Sequence, residues 1–203
     1  MPLLQNGIYV ENDEKSFEAE SAYYLNFHIL SALVSIEHLF CFEPSELWEN
    51  KCQYYHYYTD HLLFCVGQIA NRFVIGNSNG LRLERRLRNR DNFRFTDERY
   101  PILSNKDARN AIEHIDERNQ QIIAAKNGVG GFNLIDNDTA PDLEMILREK
   151  KDLHPYTLDL KKNEILIRSN DIDWIISITE LKAELESLLH SVRHFMDIIS
   201  QIL

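Results

Sequence analysis

The sequence is poor in chain breakers. Among 203 residues only 7 are glycine and 5 are proline, too few for an all-β chain that needs a turn roughly every ten residues. Cysteine is scarce as well. Cys41, Cys52 and Cys65 are an odd number with no CxxC pair, which reads as buried or bystander thiols in a reducing compartment. No stretch approaches the roughly 18 uncharged apolar residues of a membrane span, and residues 1–10 lack the basic and apolar regions of a secretory signal. The expected address is the cytoplasm, with no membrane partner. A phosphate-cradling loop is missing too: Gly128-Val129-Gly130-Gly131 follows a helical pattern instead of a strand, and no Lys-Ser/Thr comes after it.

What is present is long helical periodicity. Apolar residues make up 44% of the chain, and few breakers interrupt them. After a short strand at 7–11, residues 16–42 carry Phe17, Tyr24, Phe27, Leu30, Val34 and Cys41 at steps of three, four or seven. Pro44 ends that helix and Ser45 caps the next, in which Trp48, Tyr55, Leu62 and Ile69 recur every seventh residue up to about residue 74. The aromatic run Tyr54-Tyr55-His56-Tyr57-Tyr58 points all round that helix and reads as core or interface. Residues 81–89 form a shorter arginine-rich helix after the break at 76–80. Ser104 with Asp107 resembles a capping pair for a helix of about 104–126. A loop at 128–138 and a helix at 141–151 follow. Residues 156–160 and 164–167 carry a β-hairpin signal around Lys161-Lys162-Asn163. Ser177 with Glu180 then opens a last helix running to 203. The expected fold is mainly α: a four- to five-helix bundle with a small β-hairpin insertion before the last helix, in one domain over 1–203.

The formal net charge is −10, unfavourable for a nucleic-acid partner taken as a total. Its distribution is uneven. Residues 1–71 hold 2 basic and 10 acidic side chains, whereas 72–99 hold 8 arginines against 4 acids. Arg82, Arg85, Arg86, Arg88, Arg90 and Arg94 interleave with Phe93 and Phe95, which suits a contact to single-stranded RNA. Arg85, Arg86 and Arg88 are the candidate substrate-binding residues. The same arginines could instead neutralise the acidic first helices.

The helix that follows has a distinct pattern. On a 100° wheel Ala108, Ile112, Ile115, Asn119 and Ile122 share one stripe, while Asn110, Glu113, His114, Glu117 and Gln121 lie opposite and Arg109 sits at an edge. Arg109, Asn110 and His114 resemble the motif of the HEPN superfamily (higher eukaryotes and prokaryotes nucleotide-binding): an arginine, a polar residue after it, and a histidine after four to six intervening positions. Arg148 and His154 also fit the spacing but run into Pro155. The resemblance implies a helical bundle, usually a homodimer, acting as a metal-independent endoribonuclease without cofactor. It implies an RNA substrate, and a toxin or phage-defence role with an antitoxin protein as a candidate partner. In some such toxins a tyrosine two positions after the histidine is modified by the antitoxin; here Asp116 stands there. His114 would serve as general acid or base, Arg109 would hold the scissile phosphate, and Asn110 would orient phosphate or imidazole.

Other readings stay open. Arg109 and Glu113 are also an ordinary i,i+4 ion pair, and a charged helix face is often simply solvated, so a non-catalytic interaction module of the same fold is the alternative. A metal enzyme needs converging ligands. The pairs Glu37-His38 and Glu113-His114 are adjacent and diverge by about 100° on a helix. His190 and His194 have chelating spacing but no recognisable further ligand.

Overall fold

The computed structural model describes residues 3–5, 8–10, 13–42, 51–76, 79–113, 132–136, 156–168 and 173–202. Among these the chain is mainly helical, with five helices and a small mixed sheet of four strands. Strands β1 (Leu3–Gln5) and β2 (Ile8–Val10) form a separate antiparallel pair at the start.

Helix α1 (Asp13–Cys41) contains no glycine or proline and stops ahead of Pro44, whose ring disfavours helical backbone in the residue before it. It packs against α2 (Lys51–Ala70) and α5 (Ile178–Ile202). The stripe it buries is not the one that the spacing of Phe17, Tyr24, Phe27, Leu30 and Val34 suggests. Ala22, Leu25, Ile29, Ala32, Ile36 and Leu39 face the core, whereas Phe27 is 58% and Val34 49% exposed. The helix is apolar on two faces, so periodicity alone does not choose between them; small Ala22 and Ala32 let the neighbouring helices approach. For α2 the seven-residue stripe does point inward, with Tyr55, Leu62 and Ile69 buried; Trp48 lies outside the described residues. By length and composition Phe17–Cys41 could cross a membrane, and 39% of its most apolar part is buried inside the protein.

Helix α3 (Gly80–Asn92) comes after Gly76 and opens on Gly80, both at positive φ, and α4 (Lys106–Glu113) follows the turn at 101–104. The cap of α4 is Asn105 and not Ser104. Asn105 Oδ1 accepts the N–H groups of Asp107 and Ala108 at 3.0 Å each, while the Ser104 hydroxyl turns back to the Pro101 carbonyl. The helix is described as far as Glu113; the rest of the stretch to 126 lies outside the described residues.

The expected hairpin is part of a larger sheet. Strands β3 (Phe132–Ile135), β4 (Tyr156–Asp159), β5 (Glu164–Arg168) and β6 (Asp173–Ser177) lie in sequence order; β3 and β4 run parallel and the other neighbours antiparallel. Strand β3 falls where the composition suggests a loop. A parallel pair needs a crossover of a dozen or more residues, and 136–155 supply that length; the helix expected at 141–151 lies outside the described residues. All four residues of β4 are buried, as fits an interior strand covered on both faces. Buried Asp159 shapes the turn into β5 by accepting the N–H groups of Lys161 and Lys162 at 2.9 and 3.1 Å, with Asn163 at φ 56°. Ser177 Oγ then accepts the Glu180 N–H at 3.3 Å and starts α5. One cluster of buried residues links α1, α2, the 93–103 turns, the sheet and α5.

Candidate nucleic-acid interface

The arginine-rich helix is seated by its own side chains. The end of α2 leaves carbonyls without helical partners, and α3 supplies the donors. Arg86 donates through Nε to the Asn71 carbonyl at 3.0 Å and through Nη1 to the Ile75 carbonyl at 3.1 Å. Asn89 Nδ2 donates to the Arg72 carbonyl at 3.2 Å, and Arg90 Nη1 to the Phe73 carbonyl at 3.3 Å. Arg90 also pairs with Asp97 at 2.6 Å. Cationic donors suit a helix C-terminus, which carries partial negative charge. The interleaved aromatics are core, not stacking platforms. Phe93 and Phe95 are 0% and 2% exposed, and Phe95 stacks between Phe73 and Tyr100 at 4.1 and 4.7 Å.

Alongside these docking contacts, α3 borders an open groove of about 590 Å³ between it, α1 and the end of α2. Arg72, Arg82, Arg85 and Arg86 line it, with Phe17 and Tyr24 opposite. Arg72 lies over the Tyr24 ring at 4.0 Å and Arg85 over the Phe17 ring at 4.8 Å. Neither Arg82 nor Arg85 has a carboxylate partner among the described residues. On the groove wall, Asn89 is 2% exposed and its Oδ1 has no hydrogen-bond partner there. Burial, then the charges of Arg109 and Arg82, push the Arg86 pKa down, and Glu113 partly offsets them. Of the three arginines singled out from sequence, Arg85 and Arg86 line this groove, and half-buried Arg88 does not.

Helix α4 approaches the same place. Glu184 on α5 accepts the N–H groups of Ile102 and Leu103 at 2.9 and 3.0 Å and so fixes the turn leading into it. Ala108 is buried, and Ile112 sits over Gly67 of α2. Arg109 is less outward than the wheel implies, its side chain being 16% exposed. Its Nη2 and Nε donate to Glu113 Oε2 at 2.8 and 3.2 Å, and Asn71 Nδ2 donates to Glu113 Oε1 at 2.7 Å. Asn110 is half-buried one residue further along. His114 lies outside the described residues, as do Arg148 and His154. A second cavity of about 310 Å³, lined by Asp60, Phe64, Gln68, Asn71, Ile112 and Glu113, shares Gln68 and Asn71 with the arginine groove. The two sequence features therefore meet at Asn71, whose carbonyl holds Arg86 and whose side chain holds Glu113.

Asn71, Gln68, Arg72, Tyr24 and Phe17 have no signature marking them for this role; they are ordinary helix residues until α2, α1 and α3 come together. No group of three His, Cys, Asp or Glu capable of holding a metal occurs among the described residues. Cys65 is buried, which pushes its thiol up to about 11, while Cys41 and Cys52 are exposed. No family model, curated protein or solved structure matches this chain.

Proposed function

We propose that this chain is a HEPN-like, metal-independent endoribonuclease that holds single-stranded RNA in the arginine groove and cuts it at the Arg109 helix. The observation that carries the reading is that the groove and the cavity beside Glu113 are neighbours, sharing Gln68 and Asn71 in their walls. A groove walled by four arginines in a chain of net charge −10 is a local concentration of phosphate-binding groups. The Arg72 and Arg85 guanidinium groups, held over the Tyr24 and Phe17 rings, offer planar cationic faces for unstacked bases. The unpartnered Asn89 Oδ1 can accept from a ribose hydroxyl or a base amine.

In the proposed reaction the ribose 2′-oxygen attacks phosphorus and the 5′-oxygen leaves, giving a 2′,3′-cyclic phosphate and a 5′-hydroxyl. His114 takes the 2′-hydroxyl proton or gives one to the leaving oxygen, worth about 10² to 10⁴ in rate. Arg109 neutralises charge on the phosphate oxygens, exchanging its Glu113 contact for the substrate, and Asn110 orients phosphate or imidazole. A second copy of the chain is the proposed partner. Phe27, Val34 and Tyr23 form an exposed apolar stripe on α1. Phe27 adjoins His28, which adjoins Phe64 on the wall of the Glu113 cavity. A copy docked there would face the cleavage site. A toxin or phage-defence role with an antitoxin partner, in the cytoplasm, belongs to the same proposal.

The closed Asn71–Glu113–Arg109 network favours a second reading, a non-catalytic interaction module, because it leaves Arg109 already neutralised. Incubating the purified chain with single-stranded RNA in EDTA separates the two. The enzyme reading expects cleavage with cyclic phosphate ends, lost in His114→Ala. RNA left intact by the wild-type chain would favour the module.

A further inference from the structure

A second cationic pocket lies at the far end of α3, away from Arg109. We propose that it binds a terminal phosphate, either inorganic or at the phosphomonoester end of a larger molecule. Asn92, Arg94 and Arg99 line one side of it, and His190, Ser191 and His194 of α5 the other, around about 230 Å³. Among the described residues no carboxylate lines it. Arg90 and Arg109 each meet an acid, whereas the side chains of Arg94, His190 and His194 have neither hydrogen bond nor ion pair among the described residues. Asn92, one of the lining residues, also carries a buried Nδ2 with no hydrogen-bond partner among the described residues.

Backbone strain marks the same place. The end of α3 is a Schellman turn: the Phe95 N–H bonds the Arg90 carbonyl at 2.8 Å and the Arg94 N–H the Asp91 carbonyl at 3.3 Å. Its left-handed position, normally glycine, is Arg94 at φ 51°. A residue with a Cβ is disfavoured there relative to glycine, so the turn itself does not account for an arginine. Arg99 is braced by neutral groups, donating to Ser187 Oγ at 2.9 Å and lying over the Tyr100 ring at 5.1 Å, which holds its guanidinium in place without cancelling its charge.

The chemistry of the lining selects the ligand. Two guanidinium groups beside His190 and His194 repel a metal cation, so the chelating spacing of the two histidines serves another purpose here. Imidazole donates an N–H in either protonation state, and guanidinium is the preferred partner of phosphate oxygens. Donors converge from two elements, which matches the several free oxygens and higher charge of a terminal phosphate better than a strand passing by. The volume is below the roughly 300–1,000 Å³ of pockets that enclose whole drug-sized ligands, so the phosphate group enters and the remainder of the molecule stays outside.

The test follows the His190 and His194 imidazole resonances of the full chain by NMR. The titrants are inorganic phosphate, a 5′-phosphorylated oligonucleotide and the same oligonucleotide with a 5′-hydroxyl. Both imidazoles should shift with inorganic phosphate and with the phosphorylated end. Arg94→Gly and Arg99→Gln should each weaken that response about tenfold or more. Arg94→Gly should keep or raise the melting temperature, because glycine suits the turn, so its lost affinity cannot come from misfolding. Arg82→Gln in the groove should leave the response to inorganic phosphate intact, keeping this site separate from the proposed RNA groove. A phosphorylated oligonucleotide binding no tighter than inorganic phosphate identifies a free anion as the ligand; one binding much tighter than both inorganic phosphate and its 5′-hydroxyl counterpart identifies a nucleic-acid end. Imidazoles silent to both phosphates, or a response undiminished in Arg94→Gly and Arg99→Gln, would overturn the proposal.

Discussion

Two groups of arginines on one short helix have different duties. Arg86 and Arg90 point their guanidinium groups at backbone carbonyls beyond the end of α2, whereas Arg82 and Arg85 line the groove without an acidic partner among the described residues. The first pair holds α3 in place; the second lines the groove in which RNA is proposed to bind. Arg86 belongs to both groups, since it also lines the groove. The difference teaches that a run of like charges is not one functional unit, and that the backbone it packs against decides which members are available.

The largest effect on stability should come from the first group. Arg86→Ala leaves the Asn71 and Ile75 carbonyls short of a donor and should cost about 2–4 kcal/mol, read as a lower urea midpoint with an unchanged slope. Arg90→Ala loses one carbonyl contact and the partly exposed Asp97 pair, and should cost less, about 1–3 kcal/mol. Were both variants as stable as wild type, the division of labour along α3 would be wrong.

Glu184 gives a pH-dependent counterpart on the α4 side. Burial raises its pKa above the ordinary 4.5, the N–H groups of Ile102 and Leu103 pull it back, and Glu180 adds to the rise. A folded-state pKa above the unfolded one means that the folded chain holds this proton more tightly. The resulting stability is present in full below the unfolded value and is lost as pH rises through the folded value. Wild type measured against Glu184→Gln should therefore show its greatest relative melting temperature at the acidic end and decline as pH increases past 4.5. A difference that grew with pH would mean the backbone hydrogen bonds outweigh burial.

The smallest stability change belongs to Arg82→Gln with Arg85→Gln, within about 0.5 kcal/mol. The same double variant should bind single-stranded RNA more weakly and reduce the slope of log affinity against log salt by about 1 to 2. An unchanged salt slope would remove the groove from the account.

Much of the helical framework is legible in the sequence because it rests on local rules. The seven-residue stripe of α2, the Ser177–Glu180 start of α5 and the Asp159-to-Asn163 turn each depend on residues a few positions apart. Tertiary partners decide the rest. The exposed stripe of α1 is as apolar as its buried one, and only the presence of α2 and α5 selects between them. Asn105 outcompetes Ser104 as a cap because the turn held by Glu184 starts the helix one residue later. Strands β3 and β6 are short and find stability in pairing with β4 and β5, a contact that no local pattern announces. For the site, the sequence isolates Arg109, Asn110 and the arginine-rich stretch. Their meeting at Asn71 arises from the end of α2, roughly 15 residues before Arg86 and about 40 before Glu113 in the chain, and is invisible to spacing rules.

The claim that groove and α4 form one RNA-cleaving site is tested most directly by separating binding from turnover. Arg82→Gln with Arg85→Gln should raise KM for a single-stranded RNA while leaving kcat near wild type, because those arginines bind without touching the scissile phosphate. Arg109→Ala should lower kcat by about 10² or more with RNA affinity largely retained. Cleavage by both variants indistinguishable from wild type, or an Arg109→Ala chain that loses only affinity, would contradict the account.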